Sequence, residues 1–391
     1  MIRSMLTSNN FRFCRLIVMM PAVFLLAQGL FASASPLSDY YCSFEVVGYY
    51  PDYHQNPIPE MRYDLLTGAV FFSIYPNPDG SLNTSEIDLS RQSDFVTAAH
   101  AQQVEALVCV GGWGLSGGFS AAAGKTDTRG VFVTHLVTYC LDHDFDGVVL
   151  DWEPVSTVTD RGSYTLLIEA LKSALSPHGL SLSVAVSAQG SELNPSAIDV
   201  IDRLHVMAYD MGTPHSTYAD AVAAIDHWEA FGFPPSKLIL GLPFYGRDAS
   251  GSYNAYKDIV DQYHPAPDID EVNGIYFNGI DTIKKKTRFV IDHQCGGVMF
   301  WEITQDSNDA TSLLAAISDE IHLRHVPDFN CDGAIDFFDL DYLTARWLMS
   351  GCGNGTAWCE ASDLDHSGIV TLQDFVVFAS FWMENQYGIP E

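Results

Sequence analysis

Apolar positions along the chain follow two alternating periods. Short runs in which apolar residues are continuous or recur every second place read as strands. They are Phe44 to Tyr50, Gly68 to Ile74, Glu105 to Gly112, Phe145 to Glu153, Leu182 to Ser187, Arg203 to Tyr209, Lys237 to Leu242 and Gly297 to Trp301. Between them lie stretches of helical spacing, such as Tyr164 to Lys172 and Tyr218 to Phe231. Eight strands with crossover helices over roughly 280 residues predict an α/β fold, a (β/α)8 TIM barrel, with its chemistry at the C-terminal strand ends. After His322 the pattern changes. Asp339 to Leu348 aligns with Asp374 to Met383 at an offset of 35 residues, and an acidic loop precedes each copy.

The fourth run carries an anomaly. Val148, Leu150 and Trp152 point to one face, and Val149, Asp151 and Glu153 to the other. A buried, unpaired carboxylate is costly or stays protonated. A carboxylic acid kept protonated near neutral pH is what general acid catalysis requires. Glu153 and Asp151 are therefore the first candidates for chemistry.

The N-terminus reads as a secretory signal peptide over 1–34. Arg3, Arg12 and Arg15 precede an apolar stretch from Leu16 to Phe31, and Ala32-Ser33-Ala34 offers a small-residue cleavage site. The apolar stretch contains Pro21 and Gln28 and falls short of the ~20 residues a span needs. No transmembrane span is expected after signal removal. The expected location is secreted or cell-surface.

Charge narrows the partners. The formal net charge is −30, from 49 acids against 19 Lys and Arg, which argues against nucleic acid and anionic membranes. A neutral or cationic substrate fits better, as does a use of acids to bind metal. Seven cysteines follow the signal, of which Cys352 and Cys359 are close enough in sequence to bridge.

The two acidic loops have a spacing of their own. Asp328, Asn330, Asp332, Asp336 and Asp339 occupy positions 1, 3, 5, 9 and 12 of a loop with Gly333 at position 6. Asp363, Asp365, Ser367, Thr371 and Asp374 repeat the pattern around Gly368. This is the oxygen-ligand spacing of an EF-hand calcium loop, with Asp at position 12. The expected cofactor is structural Ca²⁺, held less tightly by the second loop, and none is expected for catalysis.

The fourth strand resembles the Asp-x-x-Asp-x-Asp-x-Glu signature of the family-18 glycoside hydrolases, the chitinases and their relatives. Asp146, Asp151 and Glu153 match, and Val149 stands where the second acid belongs. The resemblance spans nearly the whole barrel, taken as 40–323. Cys109-Val110-Gly111-Gly112-Trp113 is similar to the Ser-x-Gly-Gly motif, with Cys109 for Ser. Met207-Ala208-Tyr209-Asp210, Pro243 to Arg247 and Gly296 to Glu302 match the ends of strands six, seven and eight.

The resemblance implies a retaining chitinase that cuts β-1,4-linked N-acetylglucosamine by substrate-assisted catalysis, outside the usual two-carboxylate scheme. Glu153 would be the general acid, Asp151 would hold the acetamido group, and Tyr209 would hydrogen-bond its oxygen. Tyr49, Gly112, Trp113, Met207, Asp210, Tyr245, Arg247 and Trp301 would line the sugar subsites.

Val149 removes the acid that in the family shares a proton with the position of Asp151. Activity is expected to survive with an altered pH profile. The segment between Arg247 and Gly296 reads as too short for the α+β insertion that walls the cleft in many relatives, so a shallow groove and endo-type cutting are expected. An endo-β-N-acetylglucosaminidase and a non-catalytic chitin-binding lectin remain open alternatives.

Residues 327–385 resemble a type I dockerin, a small all-α module of paired EF-hand-like loops. This implies a cohesin-like or cell-surface partner, although Phe337-Phe338 and Leu372-Gln373 replace the small polar pair usual at loop positions 10 and 11.

Overall fold

The structure, a computed structural model, describes residues 43–387 except 54–57, 59–60, 323–326, 331–334, 354–358 and 360. The expected signal peptide over 1–34, Cys42, Cys331 and the expected calcium ligand Asp332 lie outside the described residues.

Eight parallel strands close into a barrel. They are β1 (Glu45–Pro51), β2 (Gly68–Pro76), β3 (Glu105–Gly111), β4 (Gly147–Asp151), β5 (Ser181–Ser187), β6 (Arg203–Met207), β7 (Leu238–Pro243) and β8 (Gly297–Trp301). Each pairs with the next in sequence, and β1 pairs with both β2 and β8, which closes the circle. Helices α1 (Leu89–Ala101), α2 (Thr126–Asp142), α3 (Val158–Leu175), α4 (Tyr218–Phe231), α5 (Tyr256–Tyr263), α6 (Ile280–Asp292) and α7 (Leu313–His322) follow in chain order. The crossover from β5 to β6 carries only the 3-10 turn Pro195–Ala197.

Strand alternation divides the core into two layers. Val148, Leu150 and Trp152 pack outward under the helices, in the cluster that also holds Leu136, Tyr164 and Leu167. Trp152 stacks on Phe119 at 5.0 Å. Val149 faces the lumen with Val47, Val70, Leu107, Cys109, Ile239 and Met299. The lumen is thus packed with side chains and forms a solid floor beneath the C-terminal strand ends. At the opposite mouth Arg203 bridges Glu45 at 2.6 Å and Glu105 at 2.7 Å. Among described residues no helix is long and apolar enough to cross a membrane.

The segment after β7 corrects one expectation. It folds a small α+β unit: strands Tyr245–Asp248, Tyr253–Ala255, Glu271–Val272 and Ile275–Tyr276 form an antiparallel sheet beside α5. Strands of two to four residues are too short to leave a period in the sequence. Tyr245 and Tyr253 stack at 4.4 Å, and the Arg247 guanidinium lies 5.4 and 5.2 Å from their ring centres.

Residues beyond the barrel gather their own core of Ile335, Leu343, Cys352, Cys359, Val370 and Phe378. It sits between α8 (Phe337–Ala345) and α9 (Leu372–Tyr387). Cys352 and Cys359 form the disulfide their proximity suggested, while Cys109 and Cys140 are buried free thiols.

Candidate active site

A cleft of about 1440 Å³ opens over the C-terminal ends of the barrel strands. Most of the expected subsite residues line it: Tyr49, Trp113, Met207, Asp210, Tyr245, Arg247 and Trp301, around Asp151, Glu153 and Tyr209.

Asp151 ends β4 and is 4 % exposed, and Glu153 follows two residues later, half-buried. Two glycines make room for them. Gly111 and Gly112 have φ of +99° and +102°, where a side chain is strained. A Cβ on Gly111 would lie 2.3 Å from the Asp151 carbonyl, and one on Gly112 2.4 Å from the Phe72 ring. Gly112 itself does not line the cleft. It makes the turn leading to Trp113, whose side chain is 79 % exposed at the rim. Ser116, which no sequence spacing singled out, fixes the other side. Its hydroxyl accepts the Glu153 N–H at 2.9 Å and lies 3.1 Å from the Asp151 carbonyl.

Burial sets the electrostatics. Asp151 is driven well above the carboxylate range by desolvation, and then by the neighbouring Glu153 charge. Desolvation also raises Glu153, the hydrogen bond from Asp151 pulls it back, and the charges of Asp210 and Glu192 add to the rise, leaving it at about 7. Oδ1 of Asp151 is buried with no hydrogen-bond partner among the described residues. Cys109 and Val149 are direct cross-strand neighbours, both fully buried, so the two departures from the family motifs form one apolar contact.

Tyr49 is 3 % exposed, and its hydroxyl lies 2.8 Å from His205 Nδ1. Burial, and then the Arg203 charge, lower the His205 pKa to about 3, so the ring is neutral. Tyr209 is half-buried, with its ring 6.1 Å from Tyr245 and its hydroxyl 3.9 Å from the Met299 sulfur. Trp301 packs edge-on against Phe72 at 4.7 Å and lies 5.8 Å from Tyr49. At the rim Arg247 donates two hydrogen bonds to Asp210, at 2.8 and 3.0 Å, and His215 Nδ1 lies 3.6 Å away. Burial opposes ionisation of Asp210, but the contacts with His215 and Arg247 prevail and hold it well below the usual range.

The reading of the sequence did not single out Asp52, Tyr53, Glu86, His215 or Tyr253, which also line the cleft. Asp52, Tyr53, Glu86 and His215 sit on loops and Tyr253 on a three-residue strand, segments whose sequences carry no period or motif.

The acidic loops form a second cluster. Asp363, Asp365 and Asp374 bring carboxylate oxygens within 4.8 Å of one another. The 35-residue repeat persists at the level of single bonds. Asp374 accepts N–H groups from Asp365 and Thr371, as Asp339 does from Asn330 and Asp336. Asp328 and Asp339 are fully buried, like Asp363 and Asp374. Asp336 caps α8. The hydroxyls of Ser367 and Thr371 donate to Ile369 O and Gln373. Three converging carboxylates are hard oxygen donors, which suit a Ca²⁺-like cation.

Comparison with known proteins bears on the barrel. Residues 45–306 match the family described as glycosyl hydrolases family 18. Endochitinase 1 of Metarhizium robertsii is 24 % identical over 298 residues, covering 59 % of this chain and 70 % of that protein. Chitinase 1 of Aphanocladium album is 26 % identical over 273 residues, covering 55 % and 64 %. A crystal structure of a chitinase from Bacteroides thetaiotaomicron superposes with a TM-score of 0.66 at 23 % identity, over 71 % of this chain and 96 % of that one.

Proposed function

The chain belongs to family 18 of the glycosyl hydrolases, and on that premise we propose that it is a secreted chitinase that cuts chitin or chito-oligosaccharides by substrate-assisted, retaining catalysis. The observation that carries this reading is the Asp151–Glu153 pair, two carboxyls brought together at the base of the cleft and both raised above the usual carboxylate range by burial. Glu153, at about 7, holds its proton at working pH and can deliver it to a glycosidic oxygen. Asp151 sits on the same face to orient the acetamido group of the cleaved sugar, whose carbonyl oxygen attacks the anomeric carbon. Tyr209 hydrogen-bonds that oxygen as charge develops, and Glu153 then takes a proton from the incoming water. Trp301 supplies an aromatic face for the pyranose ring. Endo-type cutting is part of the proposal, because the α+β unit after β7 is small and Trp113 stands exposed at the rim.

The C-terminal pair of loops is proposed to hold structural Ca²⁺ through Asp363, Asp365 and Asp374, and through Asp328, Asn330, Asp332, Asp336 and Asp339 in the first loop. A dockerin-like role, docking to a cohesin-like or cell-surface partner, rests on this repeat. Release of chromophore from a chromogenic chitobioside tests the main reading. Turnover by the wild type, lost in Glu153→Gln, is expected, and an unchanged rate in that variant overturns it. The apolar Cys109–Val149 floor favours one second reading, chitin binding without turnover, which retained affinity with no product from the wild type would establish.

A further inference from the structure

A lysine is buried behind the cleft where no acid meets it. Lys286, on α6, is fully buried, and among the described residues no carboxylate lies within ion-pair distance of it. Its ammonium reaches Ser216 O at 3.1 Å, Ser216 Oγ at 2.8 Å and Asn278 Oδ1 at 2.7 Å.

All three partners act as acceptors. The single hydroxyl proton of Ser216 goes to Ala208 O at 2.6 Å, so Oγ presents a lone pair to the lysine. The Asn278 amide donates to Ser216 O at 2.8 Å and to Phe277 O at 3.1 Å, which turns its oxygen toward the lysine. Three acceptors match the three N–H groups of an ammonium.

A bare ammonium in such a place is costly, and an apolar chain of similar length would pack there without that cost. Burial accordingly lowers the amine to about 7, while the charges of Asp270 and Asp220 act the other way. What the lysine holds explains its presence. Ser216 closes the loop that begins at Ala208, Met211 N–H donates to His215 O at 3.0 Å within that loop, and Thr217 caps α4 immediately after it. The loop carries Tyr209, Asp210 and His215 into the cleft.

We propose that Lys286 is a positioning residue that fastens the β6–α4 loop to α6, so that Tyr209 and Asp210 are held at the reacting sugar; this rests on the chitinase reading above. The lysine touches no substrate. It acts through Ser216 and Ala208.

Hydrogen exchange of the full chain with Lys286→Met, together with chitobioside kinetics, tests the proposal. The expected result is exchange of the 208–217 amides faster by about ten-fold or more, with β7 unaffected. The same variant should lose kcat/KM on the order of 10- to 100-fold, because small displacements of positioned groups cost that much. In a Ser216→Ala background the effect of Lys286→Met should shrink, since both changes cut one path. Unchanged exchange over 208–217, loosening spread evenly over the barrel, or full additivity with Ser216→Ala would each overturn it. If Lys286→Met does not fold, Ser216→Ala alone carries the same expectation in exchange and kcat/KM. A wild type that leaves chito-oligosaccharides intact would defeat the chitinase reading, while the exchange result would still decide whether Lys286 holds the loop.

Discussion

The barrel and the C-terminal repeat each bury a group of carboxylates, and they relieve the cost of burial in opposite ways. In the barrel, Asp151 has one oxygen with no partner among the described residues, and burial beside Glu153 holds its carboxyl well above the usual range. In the repeat, the acids are met by backbone N–H groups. Asp363 accepts from Ser367 and Gly368 at 3.0 and 2.8 Å, and Asp374 from Asp365 and Thr371 at 3.0 and 2.6 Å. N–H donors favour the ionised form against the desolvation that raises Asp363 and Asp339, and a bound cation would favour it further. Without such donors, the cheapest state keeps a proton, and a retained proton is what general acid catalysis needs. The same residue type thus serves structure or chemistry according to what the backbone offers it.

The largest test of this contrast is Glu153→Gln, which removes the transferable proton and keeps the shape. Turnover should fall by about 10²- to 10⁴-fold, the range of a positioned general acid. With Glu153 raised to about 7, its acid form is full at lower pH and is lost as pH rises through that value. The wild-type rate should therefore decline above about 7, and a rate that holds constant well into the alkaline range would break the assignment.

Calcium probes the other side. A ligand that binds only the folded state at 100 times its dissociation constant stabilises it by about 2.7 kcal/mol. Calorimetry should show a transition moved upward by Ca²⁺ and returned by chelator, and Asp374→Ala, which removes a ligand of the second loop only, should reduce the response. Chitobioside turnover should be indifferent to both.

A smaller effect sharpens the comparison within the barrel. Val149→Asp alone places a carboxylate opposite Cys109 with no donor, and should cost about 1–3 kcal/mol of stability, read as a lower melting temperature. Adding Cys109→Ser supplies a hydroxyl partner. The double variant should recover part of that loss and reshape the alkaline limb of the rate profile. Equal stability of the single and double variants would show that the two positions are not one unit. The smallest effect is expected for Trp113→Ala, a several-fold weaker KM for long oligomers from the loss of about 1 kcal/mol of ring contact, with short substrates little changed.

Much of this was legible in the order of residues along the chain. Alternation at Val148, Val149, Leu150 and Asp151 assigned inner and outer faces correctly, because a strand has only two. The eight strand runs and the 35-residue repeat were visible for the same reason, since each is a local period. Glu153 and Asp151 stood out because acids on the inner face of a buried strand are rare.

Other features have no local signature. The pairing of Cys109 with Val149 requires β3 and β4 in register, and the bond from Tyr49 to His205 spans 156 positions. The two- to four-residue strands after β7 pair across up to about thirty positions, too short and too far apart to leave a local period. Lys286 is the last of three consecutive lysines on α6, and only packing of α6 against the loop before α4 buries it. Periodicity decides which face a residue takes. Which residue it meets across that face depends on contacts between distant segments, and the sequence records those only once the chain has closed.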